Sequence, residues 1–373
     1  MKKFLFDLNH PAHFHLFKNI IYSLIKRGHH VKITAKNKDV LLDLLETYSH
    51  PYEILEKRPR GDGVFAIATN VIKRDYRLYH IVRKYKPHIL LGTSISITHV
   101  GKLLNIPSLY FGEDGPDVVP LARKYAYPFA TYLITPDTVK MSKYHFKHIT
   151  YNGYHELVYL HPNYFNPDKS VFSDLSLEKE TNYFIIRISA LKAHHDVGIE
   201  GVIQKTLKKI IKLLNCYGKV FITSEIGKEL SNNANIISIT PNRMHHVLFY
   251  ARLYIGDSQT MTAEAAVLGT PSIRCNSFVG RIGYLEELEH KYGLTYGFLP
   301  SQENEIIEKI KELLEKKDLK KEWGRRREKM INDKIDVTAF MIWFIENYPE
   351  SAKIMKENPD YQNRFKSRKL KYI

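Results

Sequence analysis

The feature that most narrows the possible folds is a rhythm. Short apolar runs alternate with stretches whose hydrophobic residues recur at helical spacing, and only a few loop residues separate them. Residues 3–8 read as a strand. Over 12–27, Phe14, Phe17, Ile20, Ile21, Leu24 and Ile25 share one helical face, and Gly28 stops the helix before the strand HVKITA. A helix over KDVLLDLLETY and a strand at 52–55 follow. The pattern continues through HILLGTS, ITHVGKLLN, IPSLYFG, VVPLARKYAYPFA and TYLITPD. Such alternation is the grammar of right-handed crossover units around a parallel sheet. Runs as apolar as Ile89-Leu90-Leu91 suit a sheet covered on both faces.

The stretch YNGYHELVYLHPNYFNPDKS, 151–170, breaks the rhythm with aromatics, prolines and asparagines, and reads as an interdomain connection. Alternation then restarts with NYFIIRIS, a helix over 199–214, KVFITS, NIISI, a helix over 243–250, LYIGDS, a helix over 260–268 and PSIRC. The predicted class is α/β with two doubly wound domains facing a cleft, at 1–165 and 175–332. Residues 302–348 are helical, and 333–373 form a C-terminal helical segment expected to pack back on the first domain. Ligands of such sheets lie outside the carboxyl ends of the strands.

A chain of 373 residues with a formal charge of +16 favours anionic partners. It carries no RNP, C2H2 or KH signature, so nucleic acid is not expected. An anionic membrane surface or a lipid-phosphate substrate suits the charge better. The opening MKKFLFDLNHP lacks a signal peptide's apolar core, and no run approaches the ~18 apolar residues of a span. Two cysteines, Cys216 and Cys275, without metal-type spacing suggest a reducing compartment. The expected location is cytoplasmic, with possible peripheral attachment to the inner face of the membrane.

The sharpest local motif is YIGDSQTMTAEAAVLGTP, 254–271. A strand ends at Gly256-Asp257, Ser258, Gln259 and Thr260 turn into a helix, and Gly269 stops it. Orphan N–H groups and the positive dipole end at that turn can hold a phosphate. Glu264, one turn inside, could accept hydrogen bonds from ribose hydroxyls. The plain alternative is a capped helix with Ser258 as N-cap and an ordinary polar Glu264.

This strand–Gly-Asp-Ser–helix–Gly-x-Pro segment resembles the nucleotide-sugar segment of B-type glycosyltransferases and of the UDP-N-acetylglucosamine 2-epimerases. IPSLYFGEDGPD, TYLITPD and YNGYHE resemble the epimerase layout, with an acidic loop after the fifth strand. DLNHPAHFHLFKNIIYSLIKRGHHVKITA resembles the first unit of the lipid-linked glycosyltransferases of peptidoglycan synthesis, whose loop ends in a histidine. Closest overall is an uncharacterised two-domain family of bacteria and archaea that itself resembles this superfamily. Its features appear as HPAHFH, GYHELVYLHP, FIIRIS with AHHD, and GDSQTMTAEAAVLGTP, between residue 1 and about 348. The resemblance implies two Rossmann-like domains in the glycosyltransferase-B arrangement. Two departures disfavour an epimerase. Gly92 and Thr93 stand where those enzymes carry an acid after the fourth strand, and RISALKAHHD replaces their histidine–arginine cluster.

Within this frame His10, His13 and His15 follow the first strand. Zinc needs three or four compact ligands, and this loop supplies none besides the histidines and Asp7, so no metal or other cofactor is expected. His15 is read as packed. His13 matches the histidine of the resembled loop and is the leading general base, with His10 beside it on the substrate. In GEDGPD, Glu113 and Asp114 are catalytic or acceptor-orienting candidates, whereas Asp117 reads as a helix N-cap. Arg187, Lys192, His194 and His195 bring cations toward a diphosphate, and Asp196 caps a helix or joins them. PNRMHH, 241–246, corresponds to the nucleobase edge, and Arg281 with Gly280 and Gly283 forms a loop toward acceptor or diphosphate. The expected activity is metal-independent transfer of a sugar from a nucleotide-diphosphate sugar, a UDP-sugar first, to a saccharide or lipid-linked acceptor of the cell envelope or of a polysaccharide. The alternatives are a nucleotide-sugar epimerase or hydrolase, and a non-catalytic nucleotide-sugar-binding protein.

Overall fold

In the computed structural model, which describes residues 1–38, 40–56, 64–188, 200–224, 235–236 and 239–366, the apolar runs form two separate parallel sheets. Strands β1 (Lys3–Leu8), β2 (His30–Lys36), β3 (Tyr52–Glu56), β4 (Ile89–Gly92), β5 (Ser108–Phe111), β6 (Tyr132–Pro136) and β7 (His148–Tyr151) make the first, in the order β3-β2-β1-β4-β5-β6-β7. Strands β8 (Tyr183–Ile188), β9 (Lys219–Ser224), β10 (Asn235–Ile236), β11 (Leu253–Gly256), β12 (Ser272–Cys275) and β13 (Thr295–Phe298) make the second, ordered β10-β9-β8-β11-β12-β13. The chain divides into two compact units. Met1–Tyr164 and the described residues from Asn332 on form one, and Phe165–Ile331 forms the other. The α/β class with two parallel sheets is as expected.

In the first unit, Phe4, Leu5, Phe6, Leu90 and Leu91 are fully buried, as continuous apolar strands require. The Pro11–Lys26 helix covers one face with Phe14, Phe17, Ile20, Ile21 and Leu24. Phe17 meets Phe6 and Phe111 edge-on, each at 5.2 Å between ring centroids. Ile25, expected on that face, is 48% exposed instead. It sits in the helix's last turn, where the chain already leaves the sheet for Arg27 and Gly28.

The reading of 151–170 as a connection is corrected over its first half. His148–Tyr151 is the seventh strand, paired with β6, and Tyr151, Tyr154 and Leu157–Leu160 are buried. Their cover is remote in sequence. The Val337–Glu346 helix, N-capped by Asp336 accepting from the Ala339 N–H, packs on the Pro11–Lys26 and Leu157–Leu160 helices. Thr338 Oγ1 and Asn19 Nδ2 both donate to the Val158 carbonyl, at 2.6 and 3.0 Å. What looked like turn chemistry is therefore core chemistry. Among the described residues no helix is long and apolar enough to cross a membrane.

Gly153 makes this packing possible, because a Cβ there would stand 2.3 Å from Val337 Cγ2. Gly153→Ala should therefore cost about 1–3 kcal/mol through overpacking. Thermal unfolding would show a lowered midpoint, and Gly153→Ala/Val337→Ala should be less destabilised than the sum of its single changes. Simple additivity would contradict the contact.

Candidate functional site

The carboxyl edge of the first sheet is shaped by one close approach. Asp7 of β1 and Gly92 of β4 are in register, and a Cβ on Gly92 would lie 2.6 Å from the Asp7 carbonyl oxygen. Only glycine lets β4 end there, so Thr93 emerges beside the loop that follows β1. Ser94 then caps the Ile95–Leu104 helix, its Oγ accepting from the Ile97 N–H at 3.3 Å. On the other side His10 caps the Pro11–Lys26 helix, Nδ1 accepting from the Ala12 N–H at 3.2 Å, with Pro11 at the first helical position.

His13, in the first turn, is half-buried. The Asn9 N–H donates to its Nδ1 at 3.2 Å, and Thr93 Oγ1 lies 2.8 Å from Nδ1 and 2.9 Å from Nε2. Donation from the Asn9 N–H requires a lone pair on Nδ1, so a neutral ring carries its proton on Nε2, and Thr93 Oγ1 stands close to both ring nitrogens. Burial, then the positive fields of His10, His155, Lys38 and Arg74, push its proton affinity well below the ordinary value of 6.5. His13 and His10 line a cavity of 590 Å³, together with Lys36, Lys38, Arg74 and Thr93. His15 is buried and packs on Tyr159, ring centroids 5.3 Å apart.

Beneath the cavity is a group that sequence reasoning passed over. Asp7 is fully buried, and its Oδ1 accepts from Thr34 Oγ1 at 2.8 Å and from Arg74 Nη2 at 2.7 Å; Oδ2 accepts from the same Arg74 nitrogen at 2.9 Å. Arg74 also donates to Asn9 Oδ1. The signal in the sequence was an acid inside an otherwise apolar strand, which demands a buried cation. Its partner, 67 residues away on another helix, left no local mark.

Glu113 and Asp114 follow β5, and neither lines this cavity. Glu113 Oε1 accepts from the His155 N–H at 3.1 Å, and its Oε2 lies 3.5 Å from His155 Nδ1. Burial, then the Glu156 and Asp114 carboxylates, raise Glu113 well above the usual carboxyl value, and burial also raises Asp114. Burial pushes His155 down to about 3. Asp117 is not a cap, which corrects that expectation. The Pro120–Tyr125 helix starts three residues later, behind Val119 as an N-cap without a side-chain bond, and Asp117 instead accepts from Arg123 Nη1 at 3.0 Å on the surface.

The second unit repeats the device. Gly256 is in register with Arg187, whose carbonyl oxygen would be 2.7 Å from a Cβ, and Ser258 caps the Gln259–Leu268 helix by accepting from the Met261 N–H at 3.3 Å. Gln259 and Thr260 stand half-exposed in its first turn. Gly269 ends the helix in the left-handed region, φ +79°. Glu264 is buried, and its Oε1 lies 2.9 Å from His245 Nε2, which joins the PNRMHH segment to the motif. His246 is engaged elsewhere, accepting from the Asp168 N–H at 3.1 Å.

Arg187 is half-buried at the end of β8. One strand beyond Gly256, Arg274 is fully buried and reaches Glu286 at 3.4 Å; it was missed because it reads as an ordinary strand residue. Arg281 is exposed, its guanidinium 5.4 Å over the Phe278 ring. Lys192, His194, His195 and Asp196 lie outside the described residues.

Comparison with known proteins agrees at the level of fold. The chain is 23% identical to the uncharacterized protein MJ0665 of Methanocaldococcus jannaschii over 282 residues, 72% of this chain and 80% of that one. The UDP-GlcNAc 2-epimerase of Neisseria meningitidis, bound to UDP-GlcNAc, is similar in structure with a TM-score of 0.59 at 15% identity, over 89% of this chain and 99% of that one. The spinosyn rhamnosyltransferase SpnG, complexed with spinosyn aglycone, has a TM-score of 0.62 at 14% identity, over 93% of this chain and 100% of that one. The resemblance to glycosyltransferases and epimerases expected from the sequence is thus borne out. A match over residues 2–341 assigns membership: the chain belongs to the family described as protein of unknown function (DUF354).

Proposed function

We propose that the protein is a glycosyltransferase that moves a sugar from a nucleoside-diphosphate sugar to a hydroxyl acceptor. The observation that carries this reading is His13. It is an imidazole kept neutral, oriented by Thr93 and Asn9, on the wall of a cavity large enough for a saccharide. A general base must reach the proton it removes and be unprotonated at working pH. The lone pair lies on Nδ1, where an acceptor hydroxyl competes with the long Asn9 bond. The Thr93 hydroxyl, within reach of both nitrogens, steadies the ring as the proton arrives.

The donor is assigned to the second unit. The start of the Gln259–Leu268 helix offers backbone N–H groups, Gln259 and Thr260 as further donors, and Arg187 nearby in register with Gly256. Charge that gathers on a departing diphosphate is stabilised by such donors without any metal being required. Solved relatives named for UDP-GlcNAc and for rhamnosyl transfer support a nucleotide-sugar donor. An epimerase is disfavoured because Thr93, bonded to His13, occupies the place of the acid expected after the fourth strand.

With a UDP-sugar and a competent acceptor, His13→Gln should lower kcat/KM by about 10²–10⁴, and steady-state rates would read this directly. Undiminished turnover in that variant sinks the base assignment. Thr93→Val should reduce kcat in the same direction but by less, leaving the melting temperature close to that of the parent.

The pH profile has a defined sign. Because burial and neighbouring cations depress His13, its base form persists as pH falls, and the acid limb of kcat/KM should lie below 6.5. A limb at or above that value would contradict the environment described.

A further inference from the structure

We propose that the first unit binds the surface of an anionic lipid bilayer through the outer face of its Val64–Tyr85 and Ile95–Leu104 helices, continued by the chain around Tyr125, Phe129 and Phe146. The inference is independent of the transferase reading.

Six large side chains carry the argument. Ile72, Tyr76, Leu103, Tyr125, Phe129 and Phe146 are each between 41 and 72% exposed. Exposed hydrophobics scattered singly are ordinary, whereas a group on one face marks a place of contact. His99 shows that these belong to one face. Its Nδ1 lies 2.7 Å from Oδ2 of Asp75, which stands between Ile72 and Tyr76 on the Val64–Tyr85 helix, and its Nε2 lies 2.8 Å from the Tyr125 carbonyl oxygen. Phe129 meets the His99 ring edge-on at 5.0 Å between centroids, and Leu103 follows His99 by one helical turn. Phe146 is brought alongside by its neighbour Lys147, whose Nζ donates to the Pro128 and Ala130 carbonyls, both at 3.0 Å. The inner sides of the two helices are already covered, with Leu78, Val82, Ile97 and Val100 buried among Leu5 and Leu90. The unit's own core therefore has no use for the outer six.

Charge selects the occupant. Lys73, Lys102, Arg123, Lys124 and Lys143 are exposed on the same segments. Between residues 70 and 147, Asp117 is the one exposed acid among the described residues, and it accepts from Arg123. Burial, then the field of Lys102, lowers the proton affinity of Lys147, which brings Lys102 to the Phe146 side of the face. Interfaces between proteins are depleted in lysine. An anionic bilayer instead attracts each lysine near its surface, and binding there grows with the apolar area inserted. Lysine stems can lie along the apolar boundary while their ammonium groups stay among the headgroups. The same face borders the cavity of His13: Val71 and Leu121 line that cavity, one residue from Ile72 and one helical turn from Tyr125.

Co-sedimentation of the full-length protein with vesicles tests the idea. One set is phosphatidylcholine alone, and the other is an equal mixture of phosphatidylcholine and phosphatidylglycerol. The protein should bind the mixed vesicles far more tightly than the neutral ones, and added salt should weaken that binding. Lys102→Gln/Lys124→Gln/Lys143→Gln should weaken it by about fivefold for each lysine removed. Removing the same charge from the second unit, with Lys317→Gln/Lys321→Gln/Lys329→Gln, should leave it nearly unchanged. Leu103→Ser/Phe146→Ser should weaken it by about tenfold or more through lost apolar insertion. Each variant should keep the parent's thermal midpoint, because the replaced side chains are exposed. Equal binding to both vesicle types, equal loss from either lysine triple, or indifference to Leu103→Ser/Phe146→Ser overturns the proposal. So does a dimer in sedimentation velocity that Leu103→Ser/Phe146→Ser dissolves while no vesicle is bound, since the face then belongs to a second copy. Vesicle binding by a protein that never consumes a UDP-sugar leaves this surface standing and removes the transferase reading. Turnover of a soluble acceptor without vesicle binding does the reverse.

Discussion

The first unit depends on a buried ion pair. Asp7 sits in an inner strand of a sheet covered on both faces, where an ionised carboxylate is costly unless every oxygen is met. Thr34 from β2 and Arg74 from the Val64–Tyr85 helix meet it. Removing one partner of such a pair generally costs about 3–5 kcal/mol, because the other charge stays behind. The pair therefore ties two strands and a helix at one point. That point lies directly beneath Asn9, whose side chain accepts from Arg74 and whose N–H donates to His13. The geometry of the imidazole is inherited from the ion pair.

The two units use the same local device with different side chains around it. In each, a central strand ends in a glycine pressed against a neighbouring strand's carbonyl, and two residues later a serine caps a helix of ten residues. Each helix closes on a left-handed residue, Asn105 or Gly269. The device aims backbone N–H groups outward from the carboxyl edge, and the side chains around it decide what they meet. In the first unit these are Thr93, His13 and a set of cations; in the second they are Gln259, Thr260 and Arg187, with a buried Glu264–His245 contact behind them.

What was legible in the sequence was local. Strands such as Ile89–Gly92 and the amphipathic Pro11–Lys26 helix announce themselves by period, and Ser258 announces a cap by its place before a helix. What was illegible depends on residues far apart. Tyr154 and Leu157 read as linker because the helix that buries them begins at Val337. Asp7 read as a strand end because its cationic partner, Arg74, stands on a different element. Thr93 drew notice only as the absence of an acid, yet its hydroxyl lies against His13. Asp117 followed the statistics of helix caps, but the helix begins at Pro120 with Val119 in the cap position, two residues beyond it.

The acidic loop fits the same logic through its protonation. Glu113 and His155 lie within 3.5 Å, a distance at which water would leave them as an ion pair. Burial favours the neutral form of both, pushing the carboxyl up and the imidazole down, and the nearby Glu156 and Asp114 push Glu113 further in the same direction. A carboxyl shifted this way keeps its proton to higher pH than an ordinary one and is correspondingly less available as a base. His13, depressed by burial and by surrounding cations, is the opposite case: it stays unprotonated and can accept. Environments that drive titratable groups apart in this way sort acids from bases. Under the proposed reading, of the residues singled out at this edge His13 is the one suited to deprotonating an acceptor.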